Sequence, residues 1–362
     1  MVMKNISVFI SSNKKAECDS SCCKQCQNDI INFDLFQYAT GVICEEYNLI
    51  NYNFEFEETP INRSFIKKVL QYEKNISRKK AVKFHNTIRV VNYLPQKSEM
   101  KFCKKHKISL DVIFTDAHNL ERSFCDSKQK NNNYDCISVL NYSGDDIIHI
   151  YDFSKLHCKT LKLKQTNLPT SIKSKEDTTI FLNNLKKLFD IWILEQNGVD
   201  IKPISDHIRN NFGICVEKEC VNSSCLGKAL VLDSDGLLRM CPYSKNEAFV
   251  LGNIKNISLI SEVYNGEKFN SIVSTMISKR KICMKNCNVF NYCQSGCCAD
   301  IVCETFSDYY CEVLKELDSY ICNHIQRIIH NDKDLTIYNP ALANIIRDVI
   351  CYNPVSLSAR TK

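Results

Sequence analysis

Along the first two hundred residues the apolar positions recur with two different periods, and the periods alternate. Ile6-Ser7-Val8-Phe9-Ile10 reads as a buried strand. Residues 52–57 (YNFEFE) alternate aromatic and polar side chains, the two-residue period of a strand with unlike faces. Residues 62–75 and 98–107 carry the longer period of amphipathic helices, and 110–115 returns to strand character. Residues 147–153 and 160–165 read as two further strands. The longest helical pattern runs from Glu176 to Gly198. Phe181, Leu185, Leu188 and Trp192 fall on one face of it, acidic residues open it and a glycine follows it. Strands that alternate with helices predict an α/β fold with a parallel sheet or barrel.

After residue 200 the pattern changes. LVLDSDGLLRMCP (230–242) places two apolar arms around Asp235-Gly236 and predicts a hairpin. Gly41, Gly144 and Gly198 are the only glycines before residue 205, while six lie between 213 and 296. A boundary is expected near 203–213, dividing the chain into 1–205, a cysteine-rich 206–322, and a helix and tail over 323–362.

Composition alters this picture through cysteine alone. The net charge of +6 is spread along the chain and singles out no nucleic-acid partner. No run approaches a membrane span, and the N-terminus lacks a signal peptide's apolar stretch. A cytoplasmic chain with reduced thiols is therefore expected. Of its 22 cysteines, twelve lie in 206–322 and four in 14–26. Clustered reduced thiols point to metal or iron–sulfur ligands.

Cys220, Cys225, Gly236 and Cys241 form C-x4-C-x10-G-x4-C. Residues 283–297 then give C-x3-C-x5-C-x3-C, and Cys311 follows. LGNI (251–254) lies between the two groups. This arrangement resembles the SPASM domain, the auxiliary-cluster domain of many radical SAM enzymes, with one extra residue between Cys283 and Cys287. The resemblance implies a partial (β/α) barrel of the radical SAM type followed by a small SPASM domain. It also implies two auxiliary [4Fe–4S] clusters, one on Cys220, Cys225, Cys241 and Cys297, the other on Cys283, Cys287, Cys293 and Cys311. Two structural zinc sites would use the same donors. Cys215, Cys298, Cys303 and Cys322 are surplus to both sets.

In that family a third cluster follows the first strand. Cys18, Cys22, Cys23 and Cys26 stand there, but whichever three are taken, one residue is inserted relative to C-x3-C-x2-C. The family's Gly-Gly-Glu-Pro-like turn after strand two, which approaches S-adenosylmethionine, corresponds to Glu57-Glu58-Thr59-Pro60. A Cβ and a charge there restrict the backbone and the ligand's approach. The Asn-Gly turn after strand three corresponds to Asn92-Tyr93-Leu94-Pro95.

The resemblance implies modification of a ribosomally made precursor peptide by a 5′-deoxyadenosyl radical, given a reductant. A partner maturase or a separate peptide-recognition protein is implied too, because the first strand starts near residue 6. The altered motifs leave a second reading, a non-catalytic Fe–S scaffold or electron-transfer partner of an active maturase. A third is a zinc-stapled interaction protein. Pro242 occupies the place where some sulfatase-maturing relatives carry a carboxylate, which reads against that subclass. Asp233 and Asp235 fit a hairpin turn better than acid–base roles, and His207 fits a surface or packing role.

Overall fold

The structure, a computed structural model, describes residues 4–10, 31–125, 134–163, 174–202, 204–212, 227–242, 246–293, 295–296, 308–331 and 334–352. The chain forms two compact units, Met1–Ile113 with Cys225–Thr275, and Phe114–Ser224 with Met276–Lys362.

The first unit is built on β1 (Asn5–Ile10), α1 (Phe33–Ile43), β2 (Leu49–Glu57), α2 (Arg63–Lys79), β3 (Lys83–Val91), α3 (Lys97–His106) and β4 (Ser109–Asp116). The strands pair in parallel in chain order, with Ile10 beside Phe54, Phe54 beside Ile88 and Ile88 beside Leu110. The alternation in β2 decides its two faces. Tyr52, Phe54 and Phe56 are buried, and Phe36 of α1 packs on Tyr52 and Phe54 at ring separations of 5.1 and 6.0 Å. Phe65 of α2 closes the cluster edge-on against Phe54. Burying such rings contributes about 2 kcal/mol each, so this aromatic layer fixes α1 and α2 to one face. Asn51, Asn53, Glu55 and Glu57 point to the other.

The second unit holds α4 (Ala117–Cys125), β5 (Tyr134–Asn141), α5 (Asp146–Ser154), β6 (Cys158–Leu163), α6 (Lys175–Leu194), β7 (Asp200–Lys202) and α7 (Ile204–Asn211). β5, β6 and β7 pair in parallel. The predicted stripe of α6 is the buried one, since Phe181, Leu185, Leu188 and Trp192 are each at most 6 % exposed. Ser174 and Asp177 cap its start reciprocally, and Trp192 Nε1 donates to Val199 O at 2.6 Å.

The predicted hairpin belongs to the first unit and joins its sheet. β8 (Ala229–Leu232) lies parallel to β1, with Ser7 beside Ala229, and β9 (Leu237–Arg239) runs back along β8. β10 (Val250–Asn253), from the LGNI segment, adds antiparallel to β9, and the short α8 (Ile260–Tyr264) follows. Next in the chain come α9 (Glu267–Asn286) and α10 (Phe290–Cys293). In the second unit α11 (Asp308–Asn331) packs along α6, where Tyr320 OH donates to Asp190 Oδ1 at 2.7 Å. α12 (Pro340–Tyr352) is the helix expected near the C-terminus.

One prediction fails. Residues 147–153 are helical, within α5, and the strand is β5. Ile147, Ile150, Tyr151 and Ser154 are the buried residues, at helical spacing. Ser143 N–H and Asp146 Oδ2, 2.8 Å apart, fold the chain into the helix start. Among the described residues no helix is long and apolar enough to cross a membrane.

Candidate functional site

The hairpin that carries Cys241 closes through a turn held by one aspartate. Asp233 Oδ1 accepts from Leu237 N–H at 2.9 Å and Asp235 N–H at 3.2 Å, while Gly236 N–H donates to Asp233 O at 3.0 Å. Gly236 takes φ +87°, the left-handed conformation that such loops adopt before the returning strand. Asp233 is 1 % exposed and occupied by this turn, which agrees with the sequence reading of both aspartates. Cys241 is buried two residues past β9. Its expected companions Cys220, Cys225 and Cys297 lie outside the described residues, as do Cys18, Cys22, Cys23 and Cys26, which fall between β1 and α1 in the chain.

The second expected ligand group is described in full. Cys283 lies in the last turn of α9, and Cys287 follows one helical turn later. Spacings of three and four residues both keep two side chains on one helix face, so the extra residue in C-x3-C still leaves the thiols together. Cys293 ends the short α10 and packs with Val289 and Leu314, with Cys287 against them. Burial pushes the Cys293 thiol up to about 12; Cys311, Cys287 and Cys283 add to the rise, and a backbone bond at Ser295 opposes it. Cys311, Cys287 and Cys283 thus lie near enough to Cys293 to act on its thiol. A cationic core would reverse that penalty, because iron and zinc both take thiolate ligands.

At the carboxyl ends of β2 and β3 the chain makes two matching turns. Glu58, directly after β2, has φ +52° and donates its N–H to Val91 O at 2.8 Å. Asn92, directly after β3, also has φ +52° and donates to Ile113 O at 2.8 Å. Residues with a Cβ rarely adopt this conformation. Glu58 and Asn92 thus hold a left-handed backbone without glycine, although the sequence predicted that a Cβ at Glu58 would restrict it. Glu57 ends β2 beside Val91.

Sequence reasoning missed Glu99. It is 2 % exposed. Its Oε1 accepts from Ile61 N–H at 2.8 Å, and its Oε2 from Gln96 N–H at 2.7 Å and Tyr93 OH at 3.0 Å. One carboxylate thus fastens the segments that follow both left-handed turns. The signal in the sequence was Gln96-x-x-Glu99, a capping-box spacing at the start of α3. Also missed was Arg89, on the polar face of β3. It is 4 % exposed, pairs with Glu55 at 3.2 Å and lies 5.1 Å from the Phe9 ring.

The chain is similar to known proteins both in sequence and in fold. The SPASM family, described as an iron–sulfur cluster-binding domain, matches residues 220–294. A "Cysteine-type anaerobic sulfatase-maturating enzyme" of Clostridium novyi (strain NT) is 27 % identical over 157 residues, which span 39 % of this chain and 40 % of that relative. The chain thus matches less than half the length of that curated relative. Among solved structures, native anSMEcpe with bound AdoMet and Cp18Cys peptide superposes with a TM-score of 0.66. It is 19 % identical and covers 89 % of this chain and 98 % of its own. A hexahistidine-tagged form of anSMEcpe with bound AdoMet gives a TM-score of 0.67 at 18 % identity, covering 95 % and 98 %. The chain has the fold of the radical SAM/SPASM proteins and carries, over residues 220–294, their iron–sulfur cluster-binding domain.

Proposed function

We propose that this chain is an iron–sulfur protein of peptide maturation, and that it modifies a ribosomally made peptide by radical SAM chemistry. The observation that carries the reading is the pair of left-handed turns at Glu58 and Asn92. They stand where the resemblance places the two turns that face S-adenosylmethionine in the family, and Glu58 holds a left-handed backbone where that family has glycine. When bound, the cluster and S-adenosylmethionine supply the electron and the radical; the chain supplies position and dryness. Cys18, Cys22 or Cys23, and Cys26 would hold the N-terminal cluster. Glu99 keeps the loops after β2 and β3 in register. Arg89 with Glu55 offers a polar, shielded face to a peptide. Cys220, Cys225, Cys241 and Cys297 would hold one auxiliary [4Fe–4S] cluster, and Cys283, Cys287, Cys293 and Cys311 the other. The matching relatives are sulfatase-maturating, whereas Pro242 provides no carboxylate after Cys241. The substrate is therefore proposed as a peptide and no narrower.

One observation favours the scaffold reading. Glu58 N–H is committed to Val91 O, and the carboxylates of Glu57 and Glu58 would face a carboxylate of the ligand. Like charges at about 4 Å cost roughly 1 kcal/mol in water and more in a dry pocket. The deciding experiment is anaerobic incubation with S-adenosylmethionine and dithionite, read as 5′-deoxyadenosine. Turnover above the no-protein blank supports the maturase. No turnover, with about eight irons per chain, establishes the scaffold. A colourless protein with two zincs in the four-cysteine sites overturns both.

A further inference from the structure

Away from those sites, α7 and α11 bring together four donors that neither cluster set uses. His207 and Asn211 are one turn apart on α7; Asp318 and Cys322 are one turn apart on α11. His207 Nε2 lies 2.7 Å from Asp318 Oδ1. The terminal amide of Asn211 lies 2.6 Å from Asp318 Oδ1, 3.0 Å from His207 Nε2 and 3.3 Å from Cys322 Sγ. The ligand atoms of His207, Asp318 and Cys322 all fall within 4.8 Å of one another. His207 is 3 % exposed, and the Asp318 side chain 18 %.

The polar atoms of this cluster crowd around the terminal amide of Asn211. An amide nitrogen carries two protons, yet three heteroatoms surround that of Asn211. If His207 Nε2 donates to Asp318, the two amide protons serve Asp318 and Cys322, and the imidazole and amide nitrogens stand 3.0 Å apart with no proton between them. Turning the amide over brings Oδ1 to the same point, which suits the imidazole proton but sets a carbonyl oxygen against a carboxylate at 2.6 Å. A cation at the centre would use all four groups at once, because the imidazole nitrogen, the carboxylate, the thiolate and the amide oxygen are then all ligands. A nucleophile–base–orienter chain needs the two ring nitrogens to face different partners; here Nε2 meets both Asp318 and the amide, so the arrangement converges rather than relays.

We propose that His207, Asp318, Cys322 and Asn211 form a mononuclear zinc site that clamps α7 to α11. Zinc takes mixed nitrogen, oxygen and sulfur donors in a tetrahedron, with bonds of about 2.0–2.3 Å. Donors on such a tetrahedron stand roughly 3.3 Å apart, so His207 and Asp318 open by about half an ångström on binding. Two i,i+4 pairs on packed helices supply the four positions without rebuilding either helix. The site also has a structural consequence. Cys311 precedes Asp318 by seven residues, about two turns or 10 Å along the same face of α11. The clamp would therefore steady the helix that presents Cys311.

The proposal does not rest on the maturase reading and is tested apart from it. Full-length protein, prepared anaerobically, is incubated with one equivalent of zinc chloride and desalted. Zinc and iron are counted, and the zinc K-edge absorption spectrum is fitted. The expected result is about one zinc per chain, with one sulfur and three nitrogen or oxygen neighbours. Zinc should fall at least tenfold in His207→Ala and in Cys322→Ser, with the iron count unchanged. Cys322→Ser is nearly isosteric and decides the matter should His207→Ala fail to fold. Three results overturn the proposal: no zinc retained, zinc retained in Cys322→Ser, or a four-sulfur environment, which would put zinc in the four-cysteine sites. A protein without iron that still shows the one-sulfur spectrum would sink the maturase reading and leave this one standing.

Discussion

Glu73 on α2 gives a pH-dependent stability that one substitution should abolish. The residue is 5 % exposed. Burial pushes its carboxyl from the ordinary 4.5 up to about 8, and a hydrogen bond from Asn86 Nδ2 to Oε2, at 2.7 Å, pulls the other way. Glu73 Oε1 and Asn86 Oδ1 are buried without hydrogen-bond partners, so among the described residues the Asn86 amide is the one side-chain donor to the ionised carboxylate. The folded chain binds this proton more tightly than the unfolded chain. Stability therefore falls as pH rises, starting near 4.5 and continuing until the folded pKa is passed near 8. Raising a pKa from 4.5 to about 8 corresponds to roughly 5 kcal/mol lost by pH 9, as an upper bound, of which roughly 3 kcal/mol is gone by pH 7. The neighbouring ionisable groups do not interfere. Burial pushes Cys44 up to about 11 and Tyr52 well above its ordinary value, so both stay neutral through this window.

The perturbation is Glu73→Gln, which keeps the shape and the acceptor for Asn86 but cannot ionise. Unfolding would be followed by urea or heat, anaerobically, at pH 5, 7 and 9, in parallel with wild type. Groups that titrate elsewhere cancel in the difference. At pH 5 the two proteins should agree to about 1 kcal/mol. By pH 9 the variant should lead by about 3–5 kcal/mol, a rise of several degrees in midpoint temperature at about 2 °C per kcal/mol. A difference that stays flat from pH 5 to 9, or a variant that weakens as pH rises, would refute the buried-charge reasoning.

Cys293→Ala should remove about four irons per chain and lower solubility, because metal binding contributes folding free energy and the remaining thiols lose their cation; iron assay and size-exclusion chromatography read both. Glu57→Gly with Glu58→Gly should tighten S-adenosylmethionine binding about tenfold by calorimetry, the equivalent of about 1.4 kcal/mol, and unchanged affinity would show that those carboxylates do not face the ligand. Gly236→Ala should cost about 1–2 kcal/mol, since φ is +87° and the new Cβ would stand 3.1 Å from Asn253 Oδ1; a chemical denaturation curve measures it. Glu99→Gln should cost about 2–3 kcal/mol, because an amide nitrogen would be turned towards a donor, and it should broaden the amide signals of Ile61 and Gln96.

What the sequence made legible followed from repetition. α6 was plain because four large side chains recur on one face over three turns and its caps are written in Ser174 and Asp177. The hairpin was plain because Asp235-Gly236 admits few other conformations. The run 147–153 misled because it is short and almost wholly apolar, so strand and helix periods fit it alike; only its packing picks out Ile147, Ile150 and Tyr151. The cysteine set around Cys293 was legible because its spacing is local. His207 was read as a surface or packing residue because Asp318 and Cys322 lie more than a hundred positions away. Glu73 was invisible for a related reason, and Glu99 was signalled only by its capping-box spacing. A glutamate on an amphipathic helix reads as solvated, and only the fold shows that both carboxylates face inward.

The turns after β2 and β3 show which part of a ligand-facing loop is dictated by glycine and which by the sheet. Glu58 and Asn92 adopt the same φ, and each donates its N–H to the end of the next strand, at Val91 O and Ile113 O. The repeated bond implies that the parallel strand ends impose the left-handed turn, whatever residue stands there. Holding a residue with a Cβ in that conformation costs about 1–2 kcal/mol, and the three donors gathered by Glu99 can offset a cost of that size. Glu58 thus holds the left-handed backbone open to glycine while projecting a carboxylate from it. That separates two effects the sequence presented as one. The backbone conformation at Glu58 is one, and the charge that Glu57 and Glu58 bring to the loop is the other. Affinity for S-adenosylmethionine should thus respond to Glu58→Gln nearly as strongly as to Glu58→Gly, since both remove the charge and the glycine adds only room for closer approach.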